Sequence, residues 1–150
     1  LDGQRTPVAL PDLASFDPAS IATPAAVPQP QGQADACVPL IKLAVARSGD
    51  KGNHSNIGVM ARKPEYLAWI AAALSEGAVA EWMQHVLDPQ TAKVSRWYLP
   101  GSHSLNFLLE NALGGGGIAS LRIDPQGKAF AQQLLEFPIP VPQALADSLS

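Results

Sequence analysis

The chain has 150 residues, a formal net charge of −3 and 15% charged residues, against about 25% in an average soluble domain. This length allows one domain with a buried core, and the weakly acidic balance argues against nucleic acid or an anionic membrane surface as a partner. Because so few residues are charged, we expect another domain or subunit to cover part of the surface, and we predict a homo-oligomer.

The cysteine content and the apolar runs bear on cellular location. Cys37 is the single cysteine, so an intrachain disulfide is excluded, and no neighbouring residue would activate its thiol. No apolar run reaches the roughly 18 residues that a membrane-spanning helix needs. We therefore predict a cytoplasmic protein with no membrane partner. The start at Leu1 suggests a processed or excised piece of a longer protein.

The first 36 residues contain six of the 14 prolines and show no sustained hydrophobic period. Proline fixes φ and removes a backbone donor, so residues 1–36 are predicted to be an extended Pro/Ala-rich linker. Leu13 and Phe16, in a turn around residues 10–16, are apolar side chains that would pin this linker to a surface. Residues 37–142 are then predicted to form the domain, and residues 143–150 a C-terminal tail.

A polar run, Arg-Ser-Gly-Asp-Lys-Gly-Asn-His-Ser-Asn-Ile-Gly at 47–58, lies between apolar segments that read as strands at 40–47 and 56–62. It is longer than the about two to five residues of a hairpin connection, which predicts a loop at 47–56. Its glycines can turn backbone N–H groups toward an anion. The candidate ligand-binding residues are Arg47, Ser48, Lys51, Gly52, Asn53, Ser55 and Asn56, with Asp50 and His54 as acid/base candidates. The alternative is a polar hairpin loop held by its own side-chain bonds.

The next segment has helical periodicity. Pro64 suits the first turn of a helix, and Gly77 marks a stop or bend within the helical region. The apolar positions at helical spacing are Leu67, Ile70, Ala71, Leu74, Val79, Trp82, Met83 and Val86. Residues 93–99 are predicted to form a strand, and residues 104–113 a short helix with inward-facing Leu105, Leu108, Leu109 and Ala112.

The C-terminal third predicts two strands and a helix. Residues 118–123 alternate as a strand does, and Asp124 and Pro125 are suited to open a helix that ends near Leu135. Prolines at every second position of 137–142 remove donors from one edge, so this strand must lie at a sheet edge. The order of elements predicts an α+β fold, a ferredoxin-like split βαβ sandwich with an inserted short helix and a Pro-rich edge strand.

A second polar cluster flanks that predicted inserted helix. We expect Ser102, His103 and Asn106 to lie beside the 47–56 loop and to complete one site, with His103 as a third acid/base candidate. Four glycines follow, Gly114, Gly115, Gly116 and Gly117. They either let a ligand approach the backbone closely or form a tight turn with no ligand. The three histidines, His54, His85 and His103, lack metal-ligand spacing, so no metal site is predicted.

These motifs together resemble the C-terminal domain of the acyclic terpene utilisation protein A (AtuA) family. The resemblance covers about residues 38–141 and rests on the segments at 47–59, 99–107, 112–117 and 120–129. It implies a ferredoxin-fold domain that normally follows a larger N-terminal domain. It also implies a place in acyl-CoA metabolism, because the family is associated with catabolism of citronellol and geraniol through acyl-CoA intermediates. It supplies no catalytic residues that can be assigned to positions of this chain, and the cofactor is unknown.

The leading hypothesis is an accessory domain or detached subunit that positions an acyl-CoA-type substrate at an interface with the larger domain. The alternative is a non-catalytic oligomerisation or protein-interaction domain, in which the polar loop and the glycines make protein contacts. Trp69, Trp82 and Trp97 are expected to be exposed and to belong to a surface that an oligomer hides. A stand-alone small enzyme is a third and weaker hypothesis. Binding of CoA thioesters by the chain would discriminate between the first two.

Overall fold

The computed structural model describes residues 3, 5–9, 17–22, 26–91 and 93–149. The strands are β1 (Ala36–Pro39), β2 (Ala44–Lys51), β3 (His54–Ala61), β4 (Val94–Leu99), β5 (Ser104–Leu109) and β6 (Pro138–Val141). The helices are α1 (Leu67–Ala73), α2 (Glu76–Trp82), α3 (Phe130–Leu135) and α4 (Gln143–Ser148). Antiparallel sheets combined with short helices confirm the predicted α+β class. No helix in these ranges has the length and apolar content to cross a membrane.

The larger sheet has four antiparallel strands in the order β2-β3-β5-β4. One of its faces is apolar and buried, with Ile57 and Val59 on β3 and Leu105, Phe107 and Leu109 on β5. Helix α3 packs on β2 and β3, and α2 packs on β4. The helices therefore cover one face of this sheet, and the other face carries the groove described below.

Strands β1 and β6 form a separate two-stranded antiparallel sheet. On β6 the side chains of Ile139 and Val141 are fully buried, while Pro138 and Pro140 are exposed. Within the described residues β6 pairs with β1 alone, which confirms the prediction of an edge strand. Its prolines supply no donors to a further strand, so pairing stops there.

The first helical segment begins as predicted and breaks earlier than predicted. Pro64 starts a 3-10 turn that leads into α1. The break lies at Leu74 and Ser75, because the Ser75 hydroxyl accepts a hydrogen bond from the N–H of Ala78 (3.1 Å) and caps α2. Gly77, predicted as the break, lies in the first turn of α2 instead.

Arg96 ties strand β4 to the helices. Its guanidinium donates to the carbonyl oxygens of Ala71 (2.7 Å) and Leu74 (2.8 Å), which satisfies acceptors at the C-terminal end of α1. Its backbone N–H donates to Glu76 Oε1 (2.8 Å). The outer edge of β4 is therefore occupied by a carboxylate at this position.

The predicted strand at 40–47 is displaced along the chain. Leu40–Lys42 forms a 3-10 turn, closed by a hydrogen bond from Leu43 N–H to the Leu40 carbonyl (2.8 Å), and β2 starts at Ala44. Leu40 and Leu43 are both fully buried, which a turn allows and strict alternation does not. The predicted strands at 56–62 and 93–99 are confirmed by β3 and β4.

The predicted short helix at 104–113 is wrong, because residues 104–109 form β5. Leu105, Phe107 and Leu109 are buried, whereas Asn106 and Leu108 lie on the opposite face. A short apolar run fits either a helical or a strand period, and pairing with β3 on one side and β4 on the other selects the strand. The sandwich therefore lacks the inserted helix.

The strand predicted at 118–123 is also wrong. Ile118, Leu121 and Ile123 have relative exposures of 102–106%, and the segment pairs with no strand. Arg122 holds it in place by donating to the carbonyl oxygens of Val86 (2.8 Å) and Ala112. Alternation alone could not show that the segment has no neighbouring strand.

The helix predicted to open at Asp124 begins at Phe130. The Asp124 carboxylate instead accepts from the N–H groups of Lys128 (2.9 Å) and Ala129 (2.8 Å) and stabilises a turn. At the other end of the chain, the linker residues Leu13 and Phe16 and the predicted turn at 10–16 lie outside the described residues. The predicted domain limits at 36 and 142 stay predictions.

Candidate functional site

The polar run at 47–58 is a strand hairpin. Strand β2 continues to Lys51, β3 starts at His54, and Gly52 and Asn53 alone connect them. Gly52 has φ +66°, which suits the first position of a two-residue turn of type II′. The predicted loop at 47–56 is therefore wrong, and the polar side chains alternate between the two faces of a sheet.

The inward side chains of the hairpin hold the structure together. Ser48 Oγ donates to the Gly127 carbonyl (2.6 Å) and accepts from the N–H of Ala131 (3.0 Å), at the start of α3. Ser55, which is fully buried, donates to the Gly49 carbonyl (3.1 Å). Each buried hydroxyl has a partner, so these two predicted ligand residues have a structural role.

Asn53 and His54 hold the loop that follows β5. The Asn53 side chain donates to Asn111 Oδ1 (3.1 Å) and accepts from Gly115 N–H (2.6 Å), while its backbone carbonyl accepts from Leu113 N–H (3.1 Å). His54 Nδ1 accepts from the N–H of Asn111 (2.9 Å). This nitrogen is therefore engaged as an acceptor in the fold.

The glycine run lets this loop approach the hairpin. Gly116 has φ +85°, and a Cβ at this position would lie 2.7 Å from the Gly52 carbonyl oxygen. This contact supports the mechanical interpretation of the run. A depression of about 420 Å³ remains beside it, lined by Asp50, Gly52, Asn53, Gly115, Gly116, Gly117, Ile118 and Gln126.

The outward side chains of the hairpin border a groove of about 340 Å³ on the open face of the sheet. It is lined by Arg47, Ser48, Gly49, Lys51, Asn56, Gly58 and Lys128. Arg47 lies opposite Gly58 in the strand register, and Gly49 lies opposite Asn56. The two glycines leave the floor without side chains, and a Cβ at Gly58 would meet just the Arg47 carbonyl oxygen at 3.8 Å.

Three cations line this groove, and one carboxylate, Asp50, lies next to it. Lys128 Nζ lies 3.3 Å from Asp50 Oδ1, and Lys51 Nζ donates to the Asp50 carbonyl oxygen (2.9 Å). A backbone hydrogen bond, followed by the bond from Lys128, lowers the pKa of the Asp50 carboxyl below its ordinary value. With Arg47 included, the rim carries a net positive charge.

The structure brings one member of the second polar cluster to this face. Asn56 Nδ2 donates to Asn106 Oδ1 (3.2 Å). His103, by contrast, lies beyond the far end of β3, where its carbonyl accepts from Ala61 N–H (3.2 Å). Asp50 pairs with Ser55, six strand residues or about 20 Å from Ala61. The predicted single site that joins Asp50 with Ser102 and His103 is therefore wrong.

Sequence reasoning missed three groove residues. Gly49 and Gly58 belong to the polar run, and reading the run as two strands would have placed both on the outward face. Lys128 lies 78 residues after its partner Asp50, and no local spacing connects them. The available signal for Lys128 was its place in the segment 120–129, one of those that carry the family resemblance.

No group of three or more His, Cys, Asp or Glu side chains within the described ranges is arranged to hold a metal ion. The predicted inert thiol, Cys37, is exposed on β1. The groove is a concave surface bordered by the cations Arg47, Lys51 and Lys128.

The fold and the groove define a small α+β domain of ferredoxin-like class. Residues 38–140, more than half of the chain, match the family model of the AtuA ferredoxin-like domain. The chain belongs to this family, which confirms the resemblance seen in the sequence. Neither the curated proteins nor the solved structures contain a match to the chain.

Proposed function

We propose that this chain is an accessory domain or detached subunit of an AtuA-type protein, and that it positions an acyl-CoA-type substrate beside a larger domain. The observation that supports this proposal is the groove in which Arg47, Lys51 and Lys128 surround the glycine floor at Gly49 and Gly58. In acyclic terpene catabolism the substrate would be a branched acyl-CoA. The domain's part in the reaction is to hold the anionic portion of that substrate.

The chemistry of the groove suits phosphate oxygens. Charge-assisted hydrogen bonds from Arg and Lys are the strong contacts available to such groups, and Arg47 can bind two oxygens at once. The Lys128–Asp50 pair is partly exposed, with side-chain exposures of 59% and 37%, so Lys128 can turn to a ligand at small cost. A volume near 340 Å³ is within the range of small-molecule sites.

The acid/base candidates fit a binding role better than a catalytic role. Asp50 is held in its ionised form by its hydrogen bonds, so it can accept a hydrogen bond from a ligand and is a poor general acid. His54 has Nδ1 engaged with Asn111, which leaves Nε2 for any ligand. His103 lies at the other end of the sheet. Catalysis in this proposal therefore belongs to the larger domain.

A protein contact beside the groove is supported by the loop at 117–123. Ile118, Leu121 and Ile123 expose their aliphatic side chains, and Ile118 lines the depression that includes Asp50. The Asp50–Lys128 ion pair joins this depression to the groove. We propose that the larger domain contacts this loop and so meets the ligand at the β2 edge of the sheet.

Calorimetric titration with isovaleryl-CoA, a branched acyl-CoA, tests the binding site. Lys51→Ala and Lys128→Ala should each weaken binding by about 1.5–3 kcal/mol, or roughly 10- to 150-fold, the scale of a lost charge-assisted hydrogen bond. The matched control is Lys93→Ala, an exposed lysine next to the opposite edge strand β4, which should bind like the parent. Melting temperatures of all three variants should stay close to that of the parent.

Two further titrations sharpen the result. Free CoA should retain most of the binding if the groove recognises phosphates, whereas isovalerate should show none. The absence of heat with isovaleryl-CoA, both for the chain alone and for the chain mixed with a larger AtuA-type domain, would contradict the proposal. Equal losses for Lys93→Ala and Lys51→Ala would contradict the location of the site.

A protein-interaction domain without a ligand is the second candidate function. The observation in its favour is the half-exposed Trp97, which lies with other large apolar side chains on the open face of the sheet. Of the other tryptophans predicted to be exposed, Trp82 is 37% exposed and Trp69 packs against the core. Under this function the titrations above give no heat, and partner affinity changes on mutation instead.

A further inference from the structure

The open face of the four-stranded sheet carries large apolar side chains. Val45, Met60, Trp97 and Leu99 have relative exposures of 39%, 47%, 50% and 43%. The solvent face of an antiparallel sheet is ordinarily polar, and a cluster of exposed apolar side chains marks an interaction surface. These four residues come from three different strands, so the sheet register determines how they are arranged.

Residues directly opposite each other in neighbouring strands share a face, so this face is ordered in rows. The first row is Val45, Met60, Ser104 and Leu99, from β2 across to β4. The second row is Arg47, Gly58, Asn106 and Trp97, and the third is Gly49, Asn56, Leu108 and Ser95. None of these side chains is acidic.

We propose that this face binds a second copy of the chain about a two-fold axis parallel to the strands. Such an axis exchanges β2 with β4 and β3 with β5, and each row then faces the same row of the other copy. The apolar first row meets an apolar row, with Val45 over Leu99 of the second copy. An axis perpendicular to the strands would instead place this row over the end of the sheet that carries Lys51 and His54.

The same two-fold rotation brings together side chains of complementary size and charge in each row. Met60 faces Ser104 of the second copy, and Gly58 faces Asn106, so a larger side chain meets a smaller one in both cases. Arg47 faces Trp97, a cation over an aromatic ring. The Arg47 residues of the two copies stand at opposite edges, offset sideways by about 14 Å across three strand spacings, which keeps like charges separated.

The area of the face predicts a weak dimer. Four strands at about 4.8 Å and six residues at about 3.3 Å give roughly 400 Å² per copy, below the about 800 Å² per partner of a standard interface. We expect a dissociation constant in the micromolar range. This face includes Arg47, Gly49, Asn56 and Gly58 of the groove, so the second copy and the proposed ligand would compete for it. The inference goes beyond the proposed function, and self-association is measured without ligand.

Sedimentation equilibrium of the full chain between about 1 and 100 µM tests the proposal. The parent should show a monomer–dimer equilibrium, and Met60→Lys and Leu99→Lys should each raise the dissociation constant at least tenfold. Leu121→Lys is the matched control, since Leu121 is a fully exposed leucine on the 117–123 loop, and its dimer should be unchanged. A parent that stays monomeric at 100 µM, or a dimer that both face variants leave intact, would overturn the proposal.

Cross-linking tests the direction of the axis and does not depend on lysine substitutions. In a Cys37→Ser background, Val45→Cys combined with Leu99→Cys should give a covalent dimer with bismaleimidoethane. Within one chain these positions are about 14 Å apart, too far for this short reagent, whereas packed sheet faces are about 10 Å apart. Each single cysteine variant should stay uncross-linked. Equal cross-linking by a single variant, or none by the pair, would overturn the arrangement.

Discussion

The inward-facing and outward-facing side chains of the β2–β3 hairpin differ in what their polar groups contact. Ser48 and Ser55 point inward, are buried and bond to backbone groups of the fold. Arg47 and Lys51 point outward, and no carboxylate side chain pairs with either in the described structure. One polar run thus contains two alternating sets of residues. A substitution one position along the strand moves from the set that supports the fold to the set that borders the groove.

The largest predicted loss of stability comes from a substitution that disturbs the inward-facing residues. Gly127 has φ +61°, and a Cβ there would lie 2.6 Å from the buried Ser55 hydroxyl. Gly127→Ala should therefore lower the free energy of unfolding by about 2–4 kcal/mol, through backbone strain and the clash together. Denaturant unfolding measures this change. Gly101→Ala is the control, because nothing lies within 4 Å of its added methyl group, and an equal loss there would contradict the explanation.

Removal of the Ser48 hydroxyl should have the next largest effect. Ser48→Ala leaves the Ala131 N–H and the Gly127 carbonyl without their partner in a buried site. We expect a loss of about 1–3 kcal/mol in unfolding free energy. The matched control is Ser95→Ala on the open face of β4, which should change stability by less than about 0.5 kcal/mol. Similar losses for both serines would remove the distinction between the two faces.

Gly58→Ala should have the opposite pattern of effects, with little change in stability and weaker ligand binding. Its methyl group would meet just one atom within 4 Å, the Arg47 carbonyl oxygen at 3.8 Å, so the fold should be unaffected within about 0.5 kcal/mol. The same methyl group would stand on the floor of the groove and should weaken isovaleryl-CoA binding by about tenfold, a typical overpacking cost. Parallel unfolding and titration measure both changes. Unchanged affinity would show that the ligand does not reach this floor.

The smallest effect concerns the pH dependence of stability. The pKa of Asp50 is lowered in the folded chain, so its ionised form stabilises the fold above its ordinary pKa near 3.8, and this contribution is lost as the pH falls through the lowered value. Asp50→Asn should therefore be less stable than the parent at pH 6, and the difference should shrink below about pH 4. Thermal unfolding at several pH values measures it. A difference that is constant with pH would contradict the assignment.

Local chemistry made part of the fold predictable. Pro64 marks the start of the helical segment, and the alternating prolines of β6 identify an edge, because each effect depends on one residue and its own backbone. The β2–β3 hairpin was not predicted because Gly52-Asn53 is not the common Asn-Gly turn. In addition, polar residues occur on both faces of its strands, so polar and apolar residues do not alternate in the sequence as they usually do in a strand. Strand β5 was not predicted because its apolar run also fits a helix.

The site was harder to predict than the fold. Arg47, Lys51 and Asn56 follow from the polar run, and Asn106 was correctly expected beside it. Lys128 depends on a contact between segments 78 residues apart, which no period or spacing reveals. His103 was grouped with Asp50 because both are polar, and the sheet register then placed them at opposite ends.

The carboxylate of Glu76 on the outer edge of β4 has a consequence for how copies of this chain can assemble. A sheet that adds strands at its edges grows without limit, as fibrils do, whereas a sheet that pairs through one face stops at two. The Arg96 N–H at the β4 edge is already occupied by Glu76, and the prolines of β6 offer no donors to a further strand. Addition of a further strand is thereby disfavoured at these two edges.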